Sequence, residues 1–150
     1  MDIAIEAYNN SDYIKAKLYF QKASKDNDIM AQYHLAKMYE SGLGTKVNHV
    51  KSIYWHKKAA QNNHAISTYK LAEIYYKGSF LSKNIIKALS LYNKSALQNY
   101  APAQLKLALI YLEGIHVLKN HSKAKYWLSK AEDYNSFQVR ALWKKYELWR

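Results

Sequence analysis

The chain has 150 residues, 49% of them hydrophobic, with four glycines, one proline and no cysteine. That length and apolar content support a buried core and argue against disorder, while the missing cysteine excludes disulfides, thiolate metal sites and cysteine nucleophiles. The 23 basic residues outnumber 11 acidic ones, giving a formal charge of +12 that favours acidic partners. No apolar run approaches the ~20 residues of a membrane span. Met1 to Asn10 have no basic start, long apolar stretch or small-residue cleavage site, so no secretory signal is read there and a cytoplasmic location is expected.

In chain order, residues 2–9 predict a short helix with Ile3, Ala4 and Ala7 facing inward. Residues 11–26 predict a second, with Asp12, Ala16, Tyr19 and Ala23 in register with the later repeats. From there a period of 36 residues governs the pattern. Leu35, Leu71 and Leu107 stand in one column; Ala36, Ala72 and Ala108 follow, then Tyr39, Tyr75 and Tyr111, then Gly42, Gly78 and Gly114. Asn48, Asn84 and Asn120 make the next column, with Ser52, Ala88 and Ala124, then Trp55, Leu91 and Trp127, then Ala59, Ser95 and Ala131 behind it.

Each period reads as two helices. Ala31, Leu35, Ala36 and Tyr39 share one face of a helix over 29–41, which Gly42 ends by taking the left-handed conformation. Asn48 caps a helix over 48–61, whose buried stripe is Ser52, Trp55 and Ala59. The same pattern predicts helices at 65–77, 84–97, 101–113 and 120–133, with Pro102 in a first turn, where proline is tolerated. Asn27, Asn63, Asn99 and Asn135 form a further column, expected to supply left-handed turns between units. Val139, Leu142, Tyr146 and Trp149 predict an amphipathic closing helix over 137–149, with Arg140, Lys144, Lys145 and Glu147 off its apolar stripe. The expected organisation is one solenoid domain: a capping unit 1–28, repeats 29–64, 65–100 and 101–135, and a closing helix in 136–150.

The strings Ala31-Gln32-Tyr33-x-Leu35-Ala36-x-x-Tyr39-x-x-Gly42 and Lys51-Ser52-x-Tyr54-Trp55-x-x-Lys58-Ala59-Ala60 resemble Sel1-like repeats. Looser copies lie at 67–78 with 87–96 and at 103–114 with 123–132. Residues 3–24 resemble a tetratricopeptide unit through Asp12, Tyr13, Ala16, Phe20 and Ala23. Two departures bear on the loops: the second loop glycine survives only as Gly44, with Phe80 and His116 in its place elsewhere, and the loop aspartate is asparagine at 48, 84 and 120.

The resemblance implies an all-α, right-handed α-α superhelix of about nine helices, and a non-enzymatic module that binds another protein in a concave groove lined by the first helix of each pair. Mapped onto this sequence, the groove residues are Tyr33, Lys37 and Glu40, then Tyr69, Glu73 and Tyr76, then Leu105, Leu109 and Leu112. The three leucines form a patch that either the closing helix or a partner must cover. The family further implies an adaptor in a larger assembly or an immunity protein that neutralises a cognate bacterial toxin. Asparagine-, lysine-, isoleucine- and tyrosine-rich usage fits an AT-rich bacterial genome.

No residue set points to chemistry. The six histidines form no His-x-x-His or His-Glu-x-x-His pair, and His116 with His121 falls short of a metal set. Gly42-x-Gly44 lacks the preceding strand and the following Gly-Lys-Ser/Thr of a phosphate loop. Glu40, Glu73 and Glu113 occupy three different columns. No catalytic residue, metal or cofactor is therefore expected. The alternative binding surface is a basic ribbon on the second helices, with Lys15, Lys51, Lys87 and Lys123 in one column and Lys22, Lys58, Lys94 and Lys130 in another. Tyrosines interleaved with lysines raise nucleic acid as a ligand, but the column Tyr39, Tyr75 and Tyr111 reads better as core.

Overall fold

The computed structural model describes residues 1–149; Arg150, the last residue of the expected closing segment, lies outside them. Among the described residues there are nine helices and no strand. They are α1 (Asp2–Asn9), α2 (Tyr13–Lys25), α3 (Ile29–Ser41), α4 (His49–Gln61), α5 (Ala65–Lys77), α6 (Ile85–Leu97), α7 (Ala101–Glu113), α8 (His121–Ala131) and α9 (Ser136–Lys145). Successive helices pair, and successive pairs stack, giving the all-α superhelical repeat.

The turn between pairs is built from two residues. Asn27, Asn63 and Asn99 take φ of 59°, 63° and 61°, the left-handed region that asparagine tolerates best after glycine. The next residue then bonds back into the helix just ended: the N–H groups of Asp28, His64 and Tyr100 donate to the carbonyls of Ala23, Ala59 and Ser95 at 3.3, 3.0 and 3.3 Å. Those same residues stand at the start of α3, α5 and α7, where Asp28 accepts from Ala31 N–H at 2.8 Å and His64 from Ser67 N–H at 3.3 Å. Asn135 departs from its column. Because α8 already ends at Ala131, Asn135 is extended at φ −149° and caps α9 by accepting from Gln138 N–H at 3.0 Å.

Within each pair the loop keeps one shape across three different sequences. Gly42, Gly78 and Gly114 end the first helices in the left-handed region. Two residues on, Gly44, Phe80 and His116 all take positive φ, at 62°, 63° and 68°, so loss of the family glycine leaves the loop conformation intact at a cost in strain. Each loop closes when Asn48, Asn84 or Asn120 donates its N–H to the carbonyl of Tyr39, Tyr75 or Tyr111, at 2.8 to 3.0 Å. The asparagine side chains then cap the second helices by accepting from the N–H groups of Lys51, Lys87 and Lys123.

The core repeats as well. Leu35, Ala36, Ala72, Ala88, Ala108 and Ala124 are buried as the spacing predicts. Trp55 and Leu91 are only half-buried, and the fully buried position next to them is the column Phe20, His56, Tyr92 and Leu128. Each second helix packs on its own partner and on the next pair, so its buried arc is wider than a single stripe. The closing helix is shorter than expected. It ends at Lys145; Glu147 turns at φ 48°, and Leu148 N–H bonds back to Trp143 O at 3.1 Å. That turn brings Leu148 into the core beside Val139 and Leu142, and leaves Trp149, expected on the apolar stripe, 61% exposed.

Gly44 is the loop glycine that cannot be replaced. A Cβ there would lie 2.4 Å from the carbonyl oxygen of Tyr13, and Lys17 Nζ already donates to Gly44 O at 2.6 Å. Gly44→Ala should cost more than about 2 kcal/mol, because the left-handed penalty of about 1–2 kcal/mol adds to this clash, and urea unfolding of the two chains measures it.

Candidate functional site

The first helices α3, α5 and α7 bring the expected groove residues together through contacts that run from pair to pair. On α3, Tyr33 sits among three histidines, its ring centre 5.6 Å from His34, 6.3 Å from His56 and 4.7 Å from His64. Lys37 Nζ lies 5.8 Å from the centre of the Tyr33 ring, and Glu40 reaches Lys70 of α5 at 3.6 Å. On α5, Tyr69 packs between Tyr92 and Tyr100. Glu73 accepts a hydrogen bond from the Tyr92 hydroxyl and pairs with Lys77 at 2.9 Å and with Lys106 of α7 at 3.8 Å. Tyr76 carries Lys106 over its face at 4.8 Å.

The leucines of α7 divide. Leu105 and Leu112 are 6% and 0% exposed and share one core cluster with Val139, Leu142 and Leu148 of the closing segment, so Leu112 is closed to a partner and Leu105 shows only an edge. Leu109 is half-buried at the groove. Two cavities lie along this surface. One of about 380 Å³ is lined by Glu40, Tyr69 and Glu73 among others; a second of about 300 Å³ is lined by Tyr69, Leu105 and Leu109 and reaches Gln138 on α9. Tyr69 is common to both.

The electrostatics follow from partial burial. Burial pushes the Tyr69 hydroxyl up to about 12, with the Glu73 charge adding to it. Burial also raises Glu73, but hydrogen bonds from Tyr92 and Lys77 and the charge of Lys106 outweigh it and hold the carboxyl below its ordinary value. Burial lowers His34 and His64, and pulls His56 down to about 4, helped by the ammonium of Lys70 and by His64. The sequence shows none of this histidine cluster, because His34, His56 and His64 occupy three different columns. The one available signal is a histidine in a column otherwise filled by Phe20, Tyr92 and Leu128.

The basic ribbon lies on the opposite helices. Lys15, Lys22, Lys51, Lys58, Lys87, Lys94, Lys123 and Lys130 are all exposed. Three of them repeat one structural contact, with Lys51, Lys87 and Lys123 over Tyr39, Tyr75 and Tyr111 at 5.3, 4.5 and 5.2 Å. With Lys17, Lys25, Lys57 and Lys125, the helices α2, α4, α6 and α8 carry 12 lysines and no acidic residue. The 11 basic residues elsewhere balance the 11 acidic ones. The whole net charge therefore belongs to the second helices.

His116 is exposed in the α7–α8 loop and His121 opens α8. Among the described residues, no group of three or more histidine, aspartate or glutamate side chains is arranged to hold a metal. Also among them, no helix is long and apolar enough to cross a membrane.

The profile of the Sel1 repeat matches residues 10–28, 29–64, 65–100 and 101–133. The chain belongs to the Sel1 repeat family. Residues 10–28, which overlap the 3–24 expected to be tetratricopeptide-like, thus match the same profile as the rest. Over 91% of its length the chain is similar to the crystal structure of a Sel1 repeat protein from Oxalobacter formigenes, at 30% identity and a TM-score of 0.83. Over 89% it is similar to c5321, a protective antigen present in uropathogenic Escherichia coli strains and displaying an SLR fold, at 27% identity and a TM-score of 0.77. It spans 56% of the first of those chains and 30% of the second. A search of the curated proteins finds no match. Sel1 repeats generally serve as protein-interaction modules rather than enzymes.

The lowered histidines make acid a specific stress. A group with a lower pKa folded than unfolded takes up protons on unfolding, so stability is fully present above the unfolded value of about 6.5 and is lost as pH falls through the folded one. For His56 the window runs from about 6.5 down to about 4 and is worth about 3 kcal/mol at its lower end. His34 and His64 act in the same direction. Denaturant melts at pH 7, 5.5 and 4.5 should show progressive loss, and His56→Phe should flatten the profile.

Proposed function

We propose that this Sel1 repeat chain is a non-enzymatic binding module that holds a segment of one protein partner in the groove lined by α3, α5 and α7. The observation that carries this reading is the groove itself. It joins two cavities through Tyr69 and presents aromatic rings beside paired charges, the amphipathic mixture found at binding hot spots. The two carboxylates on that surface, Glu40 and Glu73, are each paired with a lysine.

The second helices add a uniformly cationic flank, which suits a partner with an acidic surface and favours fast, steered association. An adaptor role in a larger assembly and one-to-one neutralisation of an acidic toxin both use these two surfaces. Tight one-to-one binding belongs to the second. A nucleic-acid ligand is less favoured, since three of the eight ribbon lysines are engaged by tyrosines that face the core side.

The test is calorimetry with a partner captured from the host and purified. Tyr69→Ala and Leu109→Asp, each checked for fold by circular dichroism, should weaken binding by about 2 kcal/mol or more, mainly through faster dissociation. Reversing Lys22, Lys58 and Lys94 to Glu should slow association and reduce its salt dependence, with a smaller change in dissociation. Unchanged affinity in both groove variants, with loss only in the lysine variant, moves the contact to the second helices. Binding that nuclease abolishes makes nucleic acid the ligand.

A further inference from the structure

The two edges of the solenoid differ in charge and in apolar exposure. The two helices of a pair run antiparallel, so the loops inside pairs emerge at one edge and the turns between pairs at the other. Contacts between successive units keep the loops side by side. Gly44 of the α3–α4 loop lies against the backbone of Tyr13 and Ile14 at the start of α2, and its carbonyl accepts from Lys17 Nζ at 2.6 Å. His49, opening α4, stacks on Phe80 of the α5–α6 loop at 3.8 Å between ring centres. Tyr76, near the end of α5, meets His116 of the α7–α8 loop at 5.8 Å. The loops therefore form one continuous row.

Taken with the first turn of the helix each one feeds, the loops span residues 42–51, 78–87 and 114–123. These segments contain no acidic residue and six lysines, Lys46, Lys51, Lys83, Lys87, Lys119 and Lys123, all exposed. They also raise apolar side chains into water. Val47, Val50, Phe80, Ile86, Ile115 and Leu118 are exposed, Ile86 and Leu118 at 84% and 91%. Ile14 and Lys15 continue the row at the start of α2, where Asp12 accepts from Lys15 N–H as the cap. Of the carboxylates beside the row, Glu40 is paired with Lys70 and Glu113 is exposed at the end of α7. At the opposite edge the turns carry Asp26, Asp28, Glu132 and Asp133. The chain is thus polarised along its helix axes, with lysines and apolar tips at one edge and acidic turns at the other.

We infer that the loop edge docks on the surface of an anionic phospholipid bilayer, its lysines at the headgroup phosphates and its apolar tips in the interface. This role goes beyond the proposed groove function and does not depend on it. Interfacial binding grows with the apolar area buried and with the attraction of cations to anionic lipid, and this edge offers both in alternation. A nucleic acid would use the lysines but leave the tips in water, since stacking needs rings and Phe80 is the one aromatic among the six. A folded protein would need a face shaped to tips that stand apart with lysines between them. Fluid lipid lets each tip enter separately.

The test uses the full chain and sedimentation with vesicles of phosphatidylcholine, with and without phosphatidylserine at about one third of the lipid, in ~150 mM salt. The expected result is binding to the mixed vesicles only. Ile86→Ser with Leu118→Ser, which leaves the charge unchanged, should weaken that binding by about tenfold or more. Lys83→Glu with Lys119→Glu should weaken it at least about twentyfold, from about fivefold per lysine near an anionic surface. The matched reversal at the other edge, Lys25→Glu with Lys130→Glu, should cost less than about threefold, because charge is screened beyond about 8 Å at that salt. All six of these positions are exposed, and circular dichroism checks the fold. The chain has no cysteine, so Leu118→Cys takes a polarity-sensitive fluorophore at a single place, and its emission should shift to the blue on binding. No binding to the mixed vesicles, equal losses from the two charge reversals, or binding unchanged by the Ile86 and Leu118 substitutions overturns the inference. Capture of duplex DNA through Lys83 and Lys119 without vesicle binding overturns it in favour of a nucleic acid.

Discussion

Packed helices meet where their side chains are smallest, and the rest of the structure is arranged around those points. Ala31, Ser67 and Ala103, then Ala36, Ala72 and Ala108, then Ala59, Ser95 and Ala131 are all without solvent exposure and repeat every 36 residues. A larger side chain at any of them would force neighbouring helices apart, at a typical cost of about 1–3 kcal/mol. The bulk is carried by the column between, Phe20, His56, Tyr92 and Leu128. Small columns fix how closely the pairs stack, and hence the width of the groove between the first helices.

Several polar groups in that packing tie helices together, some within a pair and some across a junction between pairs, while His34 Nδ1, His56 Nε2, Gln98 Oε1 and Gln104 Oε1 have no protein partner. Ser95 stands in an alanine column and donates to Ala65 O at 2.8 Å; Gln104 Nε2 donates to Ala96 O at 3.1 Å, and Lys94 Nζ to Ala60 O at 3.2 Å. Asn62, at the end of α4, donates to Gln32 Oε1 of α3 at 3.1 Å within one pair. The lysines are likewise divided between structure and surface, since Lys51, Lys87 and Lys123 open their helices and cover a core tyrosine while their charge remains in water.

Much of the architecture is legible in the sequence because its punctuation is local. Gly42, Gly78 and Gly114 end helices, and Asn48, Asn84 and Asn120 start them, through bonds within a few residues. The features that are not legible depend on contacts between units. The early end of the closing helix follows from seating Leu148 in a cluster with Leu105 and Leu112, which a periodicity of 3 and 4 within residues 137–149 does not reveal. The different role of Asn135 follows from where α8 stops. The grouping of His34, His56 and His64 about Tyr33 requires the superhelix to be assembled, since the three lie on different helices or at a junction.

The central claim is that the surface of α3, α5 and α7, and not the cationic surface of α2, α4, α6 and α8, holds the partner. Hydrogen exchange of the chain alone and in its purified complex tests this most directly, because it reads every helix at once. The account predicts added protection in α3, α5 and α7 with little change in the four lysine-bearing helices. Protection confined to α2, α4, α6 and α8 would contradict it.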